Sequence, residues 1–356
     1  MAAIVATSAV QGEFTYDQGT VKREITRWLN GSSKALLRVA DSLDHALVER
    51  RSSVAPIDWV FSARRLQESN DVYRAKAVEL ATRAVQQCLA AAGKSAHDVD
   101  LIVSTSCTGF MIPSVDAVIA ERLGMRRLLR RLPITEHGCA AGVVALAFAT
   151  DYLRAHPEHT VLVVAVELPS VTFQPADRRP ENIISAAIFG DGAAAALIEG
   201  VDRRRQPGGG AVRLLASQSV RFENALDMMG FELRDSGLHI VLSRDIPAVV
   251  RREVPAVIAE FLRSERTSLG EIDHFLLHPG GRKILEALEE TLALPEGALA
   301  VSRDVLRERG NLSSATVLVI LHEYLVRGLA RGGDRGLMVA FGPGFGAELL
   351  LLRWPD

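Results

Sequence analysis

An α/β fold made of two similar halves is what this sequence predicts, and three observations carry that expectation. From about residue 99 onward, short β-branched apolar runs alternate with longer apolar helix-forming stretches, the pattern of a sheet with helices on both faces. The same order of elements recurs in the second part of the chain. The length, 356 residues with 48% hydrophobic side chains, exceeds what one small core holds and calls for two domains or one duplicated domain.

Residues 1–98 read mainly as helix, with helical stretches at 34–50 and at 73–92, the latter stopped by Gly93. The apolar run 99–105 is a strand, 114–123 a helix ended by Gly124, and 128–135 a second strand-like run. An apolar helix follows at 140–155, then buried strands at 160–166 and 193–198. Residues 200–210, GVDRRRQPGGG, combine charge, proline and a glycine run and read as a surface linker. Beyond it come a helix at 247–263, a strand at 272–277, and helices at 282–292 and 312–328. Two strands at 336–341 and 346–353, joined through Gly-Pro-Gly-Phe, close the chain.

The halves match in order. VDLIVSTSC from Val99 parallels IDHFLLHPGG from Ile272, each a strand followed by a polar turn. GCAAGVVALAFATDYLRA from Gly138 parallels GNLSSATVLVILHEYLVRG from Gly310, each a glycine and small residues before a long apolar helix. This predicts an N-terminal half over 1–200 and a C-terminal half over 211–356, with Cys139 and Asn311 beginning equivalent helices.

The net charge of −2 supplies no general attraction to nucleic acid or to an anionic membrane. Three cysteines do not make a disulfide framework and fit a reducing compartment in which a thiol can be reactive. The N-terminal stretch MAAIVATSAVQGEF lacks the pattern of a signal peptide, and no apolar run is long enough to cross a membrane. A cytoplasmic protein without membrane insertion or nucleic-acid partner is therefore expected. Neither CxxC nor HExxH is present, nor a GxGxxG or phosphate-binding loop, so no metal is expected.

Cys139 lies in EHGCAAG between a strand-like run and an apolar helix. A thiol at a helix start feels the positive end of the dipole, which favours thiolate; such a cysteine can equally be a small packed side chain. His278 follows a buried strand in HFLLHPGG, where catalytic groups of α/β sheets collect, although a core histidine also fits. Asn311 precedes an apolar helix, where asparagine is also a common cap. Together these three side chains suit acyl-thioester chemistry: a nucleophile, an imidazole that takes its proton, and an amide donor for an oxyanion or enolate. No acidic partner stands out in these motifs. A condensation that makes its carbanion by losing CO2 needs no strong base. Asp191 in FGDGA reads as a turn residue, and the role of Glu167, at the end of an apolar strand, stays open.

These segments resemble the chalcone and stilbene synthase superfamily, the type III polyketide synthases. The matching stretches include STSCTGFMIPSVDA (104–117), GCAAG (138–142), VLVVAVELPSVTFQ (161–174), AAIFGDGAAA (186–195), HPGG (278–281), GNLSSATVLVIL (310–321) and AFGPGFGAE (340–348). The resemblance implies a thiolase-like fold of duplicated αβαβα layers with pseudo-two-fold related halves. It also implies a homodimer that takes an acyl-CoA starter and malonyl-CoA, with no cofactor beyond these CoA thioesters. Cys139 is then the acylated nucleophile, with His278 and Asn311 as its decarboxylation and oxyanion partners. Phe189 guards the opening between CoA tunnel and cavity, and Ile112 reaches across the dimer. Gly342, Pro343 and Gly344 shape the cavity, with Ala340 departing mildly from the family pattern. Cys107, Pro169, Thr172, Ile240 and Ser313 line the pocket. Cys107 is either a second reactive thiol or a packed small side chain. GLHIVLSRDIP (237–247) and the residues before it are similar to bacterial members that make alkylpyrones or alkylresorcinols, which implies a medium or long acyl starter. For the CoA phosphates the early helix offers Arg38, although Asp41 and His45 stand where basic groups are expected. Three other functions keep the same residues in play: a ketoacyl-ACP synthase III-like condensing enzyme, a cysteine hydrolase, and a non-catalytic binding protein of this fold.

Overall fold

A computed structural model describes residues 2–200 and 211–356. The linker expected at 200–210 lies, from residue 201 on, outside the described residues. The strands are β1 (Ala2–Gln11), β2 (Phe14–Asp17), β3 (Arg50–Ser53), β4 (Leu101–Thr105), β5 (Arg130–Ile134), β6 (Thr160–Glu167) and β7 (Gly192–Gly200), followed by β8 (Val212–Arg221), β9 (Met229–Arg234), β10 (Gly237–Leu242), β11 (His274–Leu277), β12 (Arg335–Gly342) and β13 (Gly346–Arg353). Nine of them join in the order β5-β4-β6-β7-β1-β8-β13-β12-β11. Outward from the central β1–β8 pair, the neighbours are antiparallel until β4–β6, β4–β5 and β11–β12, which are parallel.

The strands are apolar on both faces because both faces are covered. In β6, Val161, Val163 and Ala165 enter one core while Leu162, Val164 and Val166 enter another. In β12, Met338 and Ala340 share that first core, and Leu337, Val339 and Phe341 enter a third. The shared core holds the apolar helices Ala141–Ala155 and Thr316–Arg327. Helices Leu66–Ala91 and Val115–Arg122 cover the outer face of the first half. Ile246–Ser264 and Arg282–Thr291 cover that of the second. The result is a layered αβαβα arrangement, the thiolase-like fold. Each fully buried Val or Leu side chain contributes about 1.5–3 kcal/mol, and the central helices bury theirs against strands of both halves.

Three expectations need correction. The stretch 1–98, read mainly as helix, contains β1, the strand at the centre of the sheet. Its alanine-rich sequence lacks alternation because both its faces are buried, so periodicity does not mark it as a strand. The helix expected over 34–50 runs only over Lys34–Asp41, with a 3₁₀ turn at Ser42–His45; Leu47 then turns the chain at φ 63° into β3. No strand was expected between 200 and 272, yet β8, β9 and β10 lie there. β9 and β10 form a separate hairpin whose residues are mostly half-exposed or exposed, so its pattern is weak.

Candidate active site

The parallel strands β4, β5 and β6 deliver their C-terminal ends to one side, and the chain segments that follow carry the polar groups of a single large cavity. The cavity measures about 1950 Å³. Cys139, His278 and Asn311 all line it. Cys139 sits in the turn Gly138–Ala140 that leads into helix Ala141–Ala155. Gly138 has φ 47°, and a β-carbon there would lie 2.6 Å from Pro343 Cδ, so the turn requires glycine. The cysteine is 8% exposed. Its thiol donates to Ser313 Oγ at 3.4 Å, and burial pushes it up to about 12.

His278 directly follows β11, and its backbone N–H donates to the Val339 carbonyl at 2.8 Å, extending the β11–β12 pairing. The ring is buried, its Nδ1 has no hydrogen-bond partner, and desolvation lowers its pKa to about 4. In the resting site the sulfur is thus hydrogen-bonded to Ser313, and each of the two titratable groups is driven toward its neutral form. Moving the thiol proton to the imidazole would replace two separately disfavoured charges by a compensated pair. The Asn311 backbone N–H donates to Ile188 O at 2.7 Å, and its residue bridges Phe189. Its side-chain Oδ1 accepts from Ser313 N at 2.8 Å and from Thr316 Oγ1 at 3.4 Å. The amide oxygen being so occupied, its NH2 group is the end left to donate to a ligand.

Ser313, with φ 49°, stands between two thiols: its Oγ lies 3.4 Å from Cys139 Sγ and 3.6 Å from Cys107 Sγ. Cys107 Sγ in turn donates to Glu167 Oε2 at 3.6 Å. Glu167 also accepts from Cys107 N at 3.1 Å, Thr108 Oγ1 at 3.0 Å and the Ser314 hydroxyl. Burial raises the carboxyl's pKa while these donors hold it down. The same burial, with the negative charge of Glu167, raises the Cys107 thiol well above its ordinary range. The one sequence signal for Glu167 was an acidic side chain ending the apolar run VLVVAVE.

Ile112, Pro169, Thr172, Phe189, Ile240, Pro343 and Gly344 also line the cavity. Ile240 stands on β10, where its neighbour His239 turns the other way into the body. There His239 is buried between Ser236 Oγ at 2.7 Å and Asp177 Oδ2 at 3.0 Å, which ties the hairpin down. Two expected residues lie elsewhere. Gly342 does not face the cavity; a β-carbon there would be 2.6 Å from His137 O and 2.7 Å from Ala140 Cβ, so it packs behind the Cys139 turn. Arg38 is exposed on helix Lys34–Asp41, away from the cavity lining. The buried basic residue at the cavity is Arg51, which donates to Ala186 O at 2.7 Å and to Gln18 Oε1, and whose pKa burial lowers to about 9. Asp191 is a structural acceptor: its carboxylate takes Val54 N at 2.7 Å, Ser170 N at 2.9 Å and the Ser170 hydroxyl.

Comparison with known proteins agrees with this architecture. Residues 56–202 match the N-terminal domain, and residues 214–354 the C-terminal domain, of chalcone and stilbene synthases. The chain is 37% identical over 324 residues to 1,3,6,8-tetrahydroxynaphthalene synthase of Streptomyces peucetius, covering 91% of this chain and 85% of that one. It is 32% identical over 313 residues to the alpha-pyrone synthesis polyketide synthase-like Pks18 of Mycobacterium tuberculosis, covering 86% and 79%. The crystal structure of 1,3,6,8-tetrahydroxynaphthalene synthase from Streptomyces coelicolor, a bacterial type III polyketide synthase, superposes with a TM-score of 0.93 at 31% identity over 99% of both chains. The chain therefore belongs to the chalcone and stilbene synthase family: it is a type III polyketide synthase, an acyltransferase of the class that works on acyl-CoA and malonyl-CoA.

Proposed function

We propose that Cys139 is the acylated nucleophile and that His278 and Asn311 stabilise the charge formed at each condensation. The observation that carries this is the convergence of three side chains from three separate segments on one buried cavity, with the amide NH2 of Asn311 left as a donor. The thiol of Cys139 attacks the starter thioester, its proton passes to His278, and CoA leaves as the thiol. Malonyl-CoA then binds. Its bond to the carboxylate breaks, CO2 departs, and the electron pair becomes an enolate whose oxygen accepts hydrogen bonds from His278 and Asn311. The enolate carbon attacks the thioester carbonyl, the C–S bond breaks, and Cys139 is released for the next transfer.

For the starter we propose a medium or long fatty acyl group, extended and cyclised to a pyrone or resorcinol-type product. Supporting this are the apolar wall at Ile240, Leu238 and Leu242, the size of the cavity, and likeness to a relative named for alpha-pyrone synthesis. A second reading, a malonyl-derived aromatic product, is favoured by the 37% identity to a tetrahydroxynaphthalene synthase. Mass spectrometry of products from a panel of acyl-CoA starters plus malonyl-CoA separates the two. Long-chain pyrones or resorcinols support the first; product from malonyl-CoA alone, unaffected by acyl-CoA, overturns it.

The halves 1–200 and 211–356 are in this proposal units of one internal duplication, supported by the mirrored strand order on either side of β1 and β8. The functional unit is a cytoplasmic homodimer. Phe110 and Ile112, 69% and 80% exposed beside the cavity mouth, are the apolar side chains a second subunit would cover. Sedimentation analysis tests it, and a purely monomeric active enzyme would contradict it. Among the described residues no helix is long and apolar enough to cross a membrane.

A further inference from the structure

At the far end of the helix that starts beside Cys139, His156, Glu158 and His159 converge in the turn before β6, each with a donor atom within 4.8 Å of the others'. We propose that this turn is a binding site for a divalent transition metal of the zinc type. His159 Nε2 lies 3.4 Å from Glu158 Oε1, close to the separation of about 3.4 Å between ligands held at ~2.1 Å in a tetrahedral site. The other nitrogen, Nδ1, is 2.7 Å from the Tyr152 hydroxyl. With its proton on Nδ1 donated to that oxygen, the ring presents the Nε2 lone pair toward the carboxylate, the outer partner that metal-bound histidines commonly have. The His156 ring lies nearly parallel to that of His159, 9° apart with centroids at 4.8 Å. Tyr152 is itself held, with the Arg130 guanidinium 5.5 Å from its ring centroid.

The backbone is already in place. His156 N donates to Tyr152 O at 2.9 Å, His159 N to His156 O at 3.1 Å, and Pro157 between them restricts the turn. The site also caps the C-terminal end of helix Ala141–Ala155, where the dipole favours a cation. The nearby Arg154 is paired with Asp151 at 2.7 Å, so its charge is locally offset. Three protein ligands leave a fourth position for water. A helix of this length puts the site about 22 Å from Cys139, so the metal takes no part in condensation. It clips the helix to β6, the strand that ends at Glu167.

The test is calorimetric titration of the metal-free, full-length enzyme with Zn2+, with Co2+ as a spectroscopic probe. One ion per chain is expected, with the visible bands of four-coordinate Co2+, and unchanged binding in Cys139→Ser. His159→Ala should weaken binding by more than about tenfold, and Tyr152→Phe by about tenfold while keeping all three ligands. Glu158→Gln, at a side chain 68% exposed, should weaken it without risk to folding. Retained affinity in both Glu158→Gln and His159→Ala, or loss of binding in Cys139→Ser, would overturn the site. Absence of any Zn2+ binding would do so as well.

Discussion

The two halves enter their central helices through the same device and use it differently. Before Ala141–Ala155 stands the 3₁₀ turn Gly138–Ala140, opened by Gly138 at φ 47°; before Thr316–Arg327 stands Ser313–Ala315, opened by Ser313 at φ 49°. The turns touch, with the Ser314 carbonyl so close to Gly142 that a β-carbon there would lie 2.3 Å from it. By turn register the counterpart of Cys139 is therefore Ser314, and Asn311 lies three residues before that point. The expected equivalence of Cys139 with Asn311 is three residues out of register. In the first half glycine meets the demand for positive φ and the next residue, Cys139, is the proposed nucleophile. In the second half a serine accepts about 1–2 kcal/mol of backbone strain, and its hydroxyl reaches both thiols. Strain at a non-glycine residue is typical of a functional position.

Substitutions can break or sharpen this contrast. The largest effect is expected from Cys139→Ala: no acyl adduct by intact-protein mass spectrometry and no polyketide, with the fold preserved. Asn311→Ala should keep starter loading yet slow CO2 release from malonyl-CoA by about 10²–10³-fold; equal loss of both steps would show that Asn311 supports the thiol itself. His278, which lines the same cavity as Cys139 and Ser313, gives a pH signature. Its pKa is about 4 folded against 6.5 ordinarily, so the unfolded chain binds the proton more readily. Stability is whole above pH 6.5 and falls by about 3 kcal/mol as pH drops from there to about 4. Denaturant unfolding at each pH should show a shallower loss in His278→Asn over that window. Gly138→Ala should cost about 2 kcal/mol through the positive φ and the approach to Pro343. The smallest effect is expected for Ser313→Gly, which relieves φ 49° and gives up only long contacts to sulfur, so the melting temperature holds or rises while product distribution changes.

Much of the site was legible before folding because its groups sit in short segments whose local chemistry is distinctive. Glycine-flanked Cys139, His278 after an apolar strand, and Asn311 before an apolar helix each announce a strand end or helix start. Glu167 was visible only as an oddity, since its donors come from residues 107, 108 and 314. The motif around Gly342 points to the cavity, whereas the neighbours it packs against, His137 and Ala140, lie some 200 positions away in sequence. Arg38 offers a charge on a helix, and charge alone does not say which way a helix faces.

What the sequence determined unaided was the alternation of strands and helices over much of the chain and the polar side chains, Cys139, His278 and Asn311, that stand at strand ends and helix starts and line one cavity. These are local properties of hydrophobic period and residue chemistry. The tertiary structure decided that alanine-rich β1 is the central strand, since only burial on both faces distinguishes it from a helix. It also decided the register between the two helix-opening turns, and that Ser313 stands between two sulfurs. Each of these depends on contacts between segments far apart in the chain, which no local pattern encodes.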